Sequence, residues 1–160
     1  MTTRNTNQFA TGTTVSPDKT LMDIRALLVK HGAARFQHSE DPHLVQIGFA
    51  LKNRVVRFEI EIPSQDDPQF RPRSRQKTAR TRDALWEAEV RRRWRVCLLI
   101  IKSKLEAVAT NAKLFDVELL PYFVMPDGRT VAQHINSEKL DQLYAGTARL
   151  LLNPAPGEGN

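Results

Sequence analysis

Trp86, Val90, Trp94, Cys97, Ile101, Leu105 and Val108 recur at intervals of three or four residues. A strand alternates its faces every second residue, so only a helix puts these seven side chains in one stripe. The spacing predicts a helix over about 82–110. Such a helix leaves most of its circumference outside the stripe and cannot bury that stripe alone, so the rest of the chain must supply a second layer. Leu98, Leu99 and Ile100 broaden the apolar zone, which predicts that the second half of the helix is covered on more than one side. Arg91, Arg92, Arg93 and Arg95 flank the stripe in the first half and are expected to face water.

The second layer is legible as a hairpin. Val45, Ile47 and Phe49 alternate along 43–51 to form one apolar face, and Val56, Phe58, Ile60 and Ile62 along 54–62 form another. Lys52-Asn53 separates the two runs, and Asn53 tolerates the positive φ of a tight turn. Upstream, Ser16-Pro17-Asp18 reads as a helix start: a capping hydroxyl, a proline suited to the first turn and an acid at the positive end of the dipole. Leu21, Ile24, Leu27 and Leu28 mark the face of that helix and Gly32 its end. Downstream, Leu114–Leu120 fits a short helix ended by Pro121, and Tyr122–Met125 a strand running into a turn at Pro126-Asp127-Gly128. Residues 129–135 fit either a returning strand or a short helix, and Ser137 caps a last helix over 138–144. The fold class expected is α+β: a small antiparallel sheet, the hairpin plus an extra strand near 122–125, packed on the long central helix and shorter flanking helices. Residues 1–15, Thr- and Asn-rich without apolar period, are expected to form a flexible arm. Residues 16–150 form a single domain, 64–80 a mobile loop with three prolines, and 151–160 a disordered tail.

Charge is distributed unevenly along this frame. Residues 1–70 hold 8 basic and 8 acidic side chains, residues 71–104 hold 12 and 3, and residues 105–160 hold 4 and 7. Half of the 24 Lys and Arg therefore lie in the central stretch, in a chain of formal charge +6. The longest apolar run, Val96–Ile101, is far shorter than the roughly 18 residues a membrane span needs, and the polar N-terminus lacks the apolar segment of a secretory signal. A cytoplasmic protein with no membrane partner is expected. The single cysteine, Cys97, rules out an internal disulfide and a Cys-rich zinc site, and its apolar neighbours predict a buried, inert thiol.

Several segments together carry a family likeness: Val15–Lys19, Leu27–Ala33, Arg54–Phe58, Arg91–Ala107 and Met125–Val131. Over about residues 15–150 this combination resembles a family of small, functionally uncharacterised proteins encoded in bacteriophage and prophage genomes, often of actinobacterial hosts. The resemblance implies a phage origin and the cytoplasm of an infected bacterium as the setting. It supplies no catalytic residues.

Arg71, Arg73, Arg75, Lys77, Arg80 and Arg82 would form a flexible clamp on a phosphate backbone, and Arg91, Arg92, Arg93 and Arg95 a fixed strip, because guanidinium and ammonium groups displace condensed counterions without reading sequence. The competing account is a solvated helix face beside a disordered loop, with Glu87 and Glu89 balancing part of the charge and Glu87–Arg91 an i,i+4 pair. Phe70, without periodic partners beside Arg71, is the candidate base-stacking residue. The two tryptophans sit at core spacing. His38, Glu40, Asp41 and His43 read as a solvated turn, since their spacing is not that of two metal ligands on one helical face. Glu59 and Glu61 resemble half of a metal-dependent nuclease motif, but Pro63 stands where its lysine belongs. No Gly-rich phosphate loop or nucleophile elbow occurs. The expectation is a non-enzymatic phage DNA-binding accessory protein, without metal or cofactor, gripping single-stranded DNA or nucleic-acid backbone, DNA ahead of RNA. The alternative is a protein that binds and modulates a host or phage protein, such as a defence or replication component, through the Arg loop or the hairpin edge. A homo-oligomer is compatible with either.

Overall fold

The computed structural model describes residues 9–10, 12–71, 79–135 and 137–144, with the backbone alone for 79–80, 137–138 and 143–144. The first helix, α1 (Pro17–Lys30), is capped by the Ser16 hydroxyl accepting from the Lys19 N–H. It ends as Gly32 turns to φ 79°, a conformation that costs a glycine nothing. Three strands follow, β1 (Ala34–Asp41), β2 (Leu44–Leu51) and β3 (Arg54–Glu61), in an antiparallel sheet of order β1-β2-β3. The β2–β3 turn is Lys52-Asn53 with φ 45° and 62°, the double positive φ of a twist-compatible two-residue hairpin.

The register sets Val45 against Ile60, Ile47 against Phe58 and Phe49 against Val56. The two apolar runs therefore lie on one face of the sheet, where α1 and the long helix α2 (Ala79–Thr110) cover it. All of the predicted stripe except Trp86 is buried, with Ile101 and Leu105 at 0% and 1% exposure. Trp86 is partly buried, its indole N–H donating to the Pro63 carbonyl at 2.7 Å.

The fold class is as expected, but the third strand is a different segment. β1 supplies it, and its residues include His38, Glu40 and Asp41, which the sequence places in a turn. Seven of its eight residues are exposed, so it shows no alternation of polarity to read. Tyr122–Met125 forms no full strand. Tyr122 closes a single 3₁₀ turn with Leu120 and Pro121, after which Phe123 and Val124 make isolated bridges to Val56 and Thr130. Before that turn lies α3 (Leu114–Leu119). Residues 131–134 resolve as a one-turn helix, α4 (Val131–His134), held by a capping box in which Thr130 and Gln133 bond each other's backbone. α5 spans Ser137–Tyr144.

The second half of α2 is covered less than its apolar breadth predicts. Leu99 and Ile100 are 42% and 37% exposed, although α1, the sheet and α3 all pack on this helix. Among the described residues no helix is long and apolar enough to cross a membrane.

Candidate nucleic-acid interface

The buried positions Val90, Trp94 and Cys97 divide the arginine cluster of α2 between two flanks. Arg91 and Arg95, four apart, lie toward α1. Arg95 Nη1 donates to Asp23 Oδ2 at 3.2 Å, and the same carboxylate takes Lys19 Nζ at 2.8 Å. Arg91 Nε donates to the Thr13 carbonyl at 3.2 Å, and its Nη1 lies 3.6 Å from Glu87. Arg92 and Arg93 converge on Glu89, three and four residues earlier. Arg92 grips that carboxylate with two bonds of 2.7 Å, and Arg93 Nε adds a third at 2.9 Å. Arg93 Nη1 then reaches across to the Glu61 carbonyl, the end of β3, at 2.6 Å.

These contacts alter the charge that the strip presents. Hydrogen bonds from Arg92 hold the Glu89 carboxyl below the usual carboxylate range, and Glu89 in turn raises Arg92. Lys19, with a smaller contribution from Arg95, does the same to Asp23. Bidentate guanidinium–carboxylate pairs are among the strongest side-chain hydrogen bonds, so Glu89 already offsets the charge of Arg92 and takes two of its N–H donors. The side chains of Arg91, Arg92, Arg93 and Arg95 are 25–29% exposed. The expected water-facing strip is thus a set of half-buried ties between α2, α1, β3 and the segment before α1. Glu87 and Glu89, at helical spacing from their partners, are legible in the sequence as balancing charges, whereas Asp23 and Thr13 reach α2 only through the tertiary fold.

Arg82 also has internal partners: Nη1 lies 3.4 Å from Asp66 and Nε 3.7 Å from Asp83. Five described arginines, at 82, 91, 92, 93 and 95, therefore face five carboxylates, Asp23, Asp66, Asp83, Glu87 and Glu89.

The stacking role expected of Phe70 is overturned. Phe70 closes a 3₁₀ turn (Pro68–Phe70), which Asp67 caps by accepting from the Gln69 N–H, and its ring is buried at 4% exposure as the turn packs on α2. An isolated aromatic in a proline-rich stretch gives no periodic sign of such an anchor. Trp94 is internal, and Tyr122 stacks on Phe58 with ring centroids 4.1 Å apart. Of the expected mobile loop, residues 68–70 form this packed turn and 79–80 belong to α2, while 72–78 lie outside the described residues. Arg71 is exposed. Arg73, Arg75 and Lys77 lie outside the described residues, as does the side chain of Arg80.

Of the alternating carboxylates of β3, that of Glu59 ties the outer sheet face together. Glu59 lies 3.1 Å from Arg57 Nε and accepts from Gln46 and Gln133, while Arg57 donates to the Gly128 carbonyl and to Gln133. This network fastens residues 128–133 to the outer sheet face. His38 and Glu40 share one face of β1 and Asp41 takes the other. Burial pushes the Cys97 thiol up to about 12, so it is un-ionised and inert at neutral pH. No family model, curated protein or solved structure matches the chain.

Proposed function

We propose that the protein is a non-enzymatic binder of nucleic-acid backbone, of the phage accessory kind, and that its contact is the segment 71–80, which runs into the first turn of α2, rather than the arginines at 82–95. One observation supports this reading. Each described arginine from 82 to 95 faces a carboxylate of the protein, whereas residues 71–80 contain five basic side chains, Arg71, Arg73, Arg75, Lys77 and Arg80, and no acidic one. That segment alone accounts for most of the formal charge of +6. Its two ends are tied down by buried Phe70 and by α2, so a polyanion bound there is held at a fixed place on the fold.

The test is fluorescence anisotropy of labelled single-stranded DNA, duplex DNA and RNA at low salt. Wild type is compared with a variant carrying Gln at 71, 73, 75, 77 and 80. The variant is expected to lose binding to every polymer while its circular dichroism and melting midpoint stay those of wild type, since no described contact depends on these side chains. Undiminished binding by the variant would overturn the reading.

A second reading, that the protein binds a host or phage protein, has one observation in its favour. Exposed Ile100, with Val96 and Tyr122, lines an open groove of about 320 Å³ between α2 and β3. That reading takes precedence if wild type shows no affinity for any of the three polymers.

A further inference from the structure

The two edges of the sheet are treated differently. Along β3, Val124 N–H donates to the Val55 carbonyl and Arg93 caps the Glu61 carbonyl. Along β1 no described segment adds a strand or a backbone bond. Alternation fixes which groups are left over. Ile62 N–H bonds the His43 carbonyl, so odd residues of β2 face β3 and even ones face β1. The β1 register, Asp41 with Leu44 and Ser39 with Gln46, then turns residues 37, 39 and 41 toward β2 and leaves the N–H and C=O groups of His38 and Glu40 pointing outward. An exposed strand of eight residues with no proline or lysine is a template for a further strand.

We propose that β1 pairs with β1 of a second copy, antiparallel across a two-fold axis at Ser39. In that register His38 stands opposite Glu40 of the other copy, Gln37 opposite Asp41, and Ser39 opposite itself. Each donor of the Gln37-His38-Ser39-Glu40-Asp41 run meets an acceptor on the other copy, and the outward backbone groups of His38 and Glu40 pair with each other. Shifting the axis by one residue to His38 sets His38 against itself and Phe36 against Glu40, which loses this complementarity. The three-stranded sheet becomes six-stranded with one helical side.

An independent observation lies on α1. Its flank toward α2 is marked by Asp23, bonded to Arg95, and by Lys30, 4.0 Å from Glu106. The opposite flank carries Met22, Arg25 and Val29 at helical spacing. Arg25 stands over the Phe36 ring of β1 at 5.8 Å, and Met22 and Val29 are each 66% exposed. Continuing the sheet through β1 brings the two copies of this apolar flank toward each other over the new seam, which gives Met22 and Val29 a place to be buried.

Analytical ultracentrifugation of the full chain across a concentration series tests this. Wild type is expected to show a monomer–dimer equilibrium. His38→Pro removes an N–H that the β2 ladder does not use, so the fold is retained while the dissociation constant rises by about tenfold or more. His38→Glu alone weakens the dimer by placing like charges opposite each other at Glu40, and adding Glu40→Lys restores it by making the pair opposite in charge. Met22→Glu weakens it without touching the strand. A chain that stays monomeric throughout overturns the proposal, as does a dimer indifferent to these substitutions. So does a partner strand from another protein found on β1 in place of the second copy. DNA binding by 71–80 stands or falls separately.

Discussion

Asp127 shows how a single exposed carboxylate can organise a turn. It accepts from the Arg129 backbone N–H at 3.1 Å and from Arg129 Nε at 3.0 Å, and its carboxylate lies 3.1 Å from His134 Nε2. The Arg129 backbone N–H first, then its guanidinium and His134, pull its carboxyl down to about 2. A carboxyl lowered in the folded state contributes stability that is complete above its ordinary value and is lost as pH falls through the lowered one. Asp127→Asn should therefore lower the melting midpoint by a constant amount at neutral and mildly acidic pH. The difference from wild type should shrink only between about pH 4 and pH 2. Thermal melts of both proteins across that range check it; a difference that vanishes above pH 5 contradicts it. At this scale the turn itself was legible, because Pro126-Asp127-Gly128 carries its own conformational chemistry and Gly128 adopts φ 82°. Phe70 was not. Burial of a lone aromatic depends on what the chain folds against it, and nothing at helical or strand spacing announces that.

Among the elements, α2 explains both what the sequence discloses and what it conceals. Its length and core stripe follow from periodicity, as does the β2–β3 hairpin, since each has one face buried and one exposed. β1 escapes the same reasoning because it is an edge strand in which only Phe36 is partly buried, and 122–125 misleads because Tyr122 still belongs to the 3₁₀ turn while Phe123 and Val124 make only isolated bridges. The arginine cluster is the instructive case: four guanidinium groups close in sequence are sent to two flanks of one helix and there meet carboxylates. Glu89 holds two of them. Glu89→Gln removes a charged acceptor with an 18% exposed side chain and should cost about 1–2 kcal/mol in urea unfolding. The same substitution frees Arg92 and Arg93, so affinity for single-stranded DNA at low salt should rise. A fall in affinity would mean that Glu89 positions those arginines for the polymer, contrary to the present reading.

For the whole molecule, a formal charge of +6 says little until internal pairs are subtracted. Once Arg82, Arg91, Arg92, Arg93 and Arg95 are matched to their carboxylates, residues 71–80 are left as the one stretch of the sequence that gathers five basic side chains with no acidic one. The uneven distribution could be counted from the sequence. Its partial cancellation could not, because Asp23 meets Arg95 across 72 residues and Asp66 meets Arg82 across 16. The number of cations that engage the polymer is itself measurable, since each phosphate neutralised adds about 0.9 to the slope of log affinity against log salt on duplex DNA and about 0.7 on single strands. Five contacts from Arg71, Arg73, Arg75, Lys77 and Arg80 predict a slope per chain of about −4.5 on duplex or about −3.5 on single-stranded DNA. A slope near −9 on duplex, which would need Arg82 and the α2 arginines as well, or affinity indifferent to salt, would contradict the account.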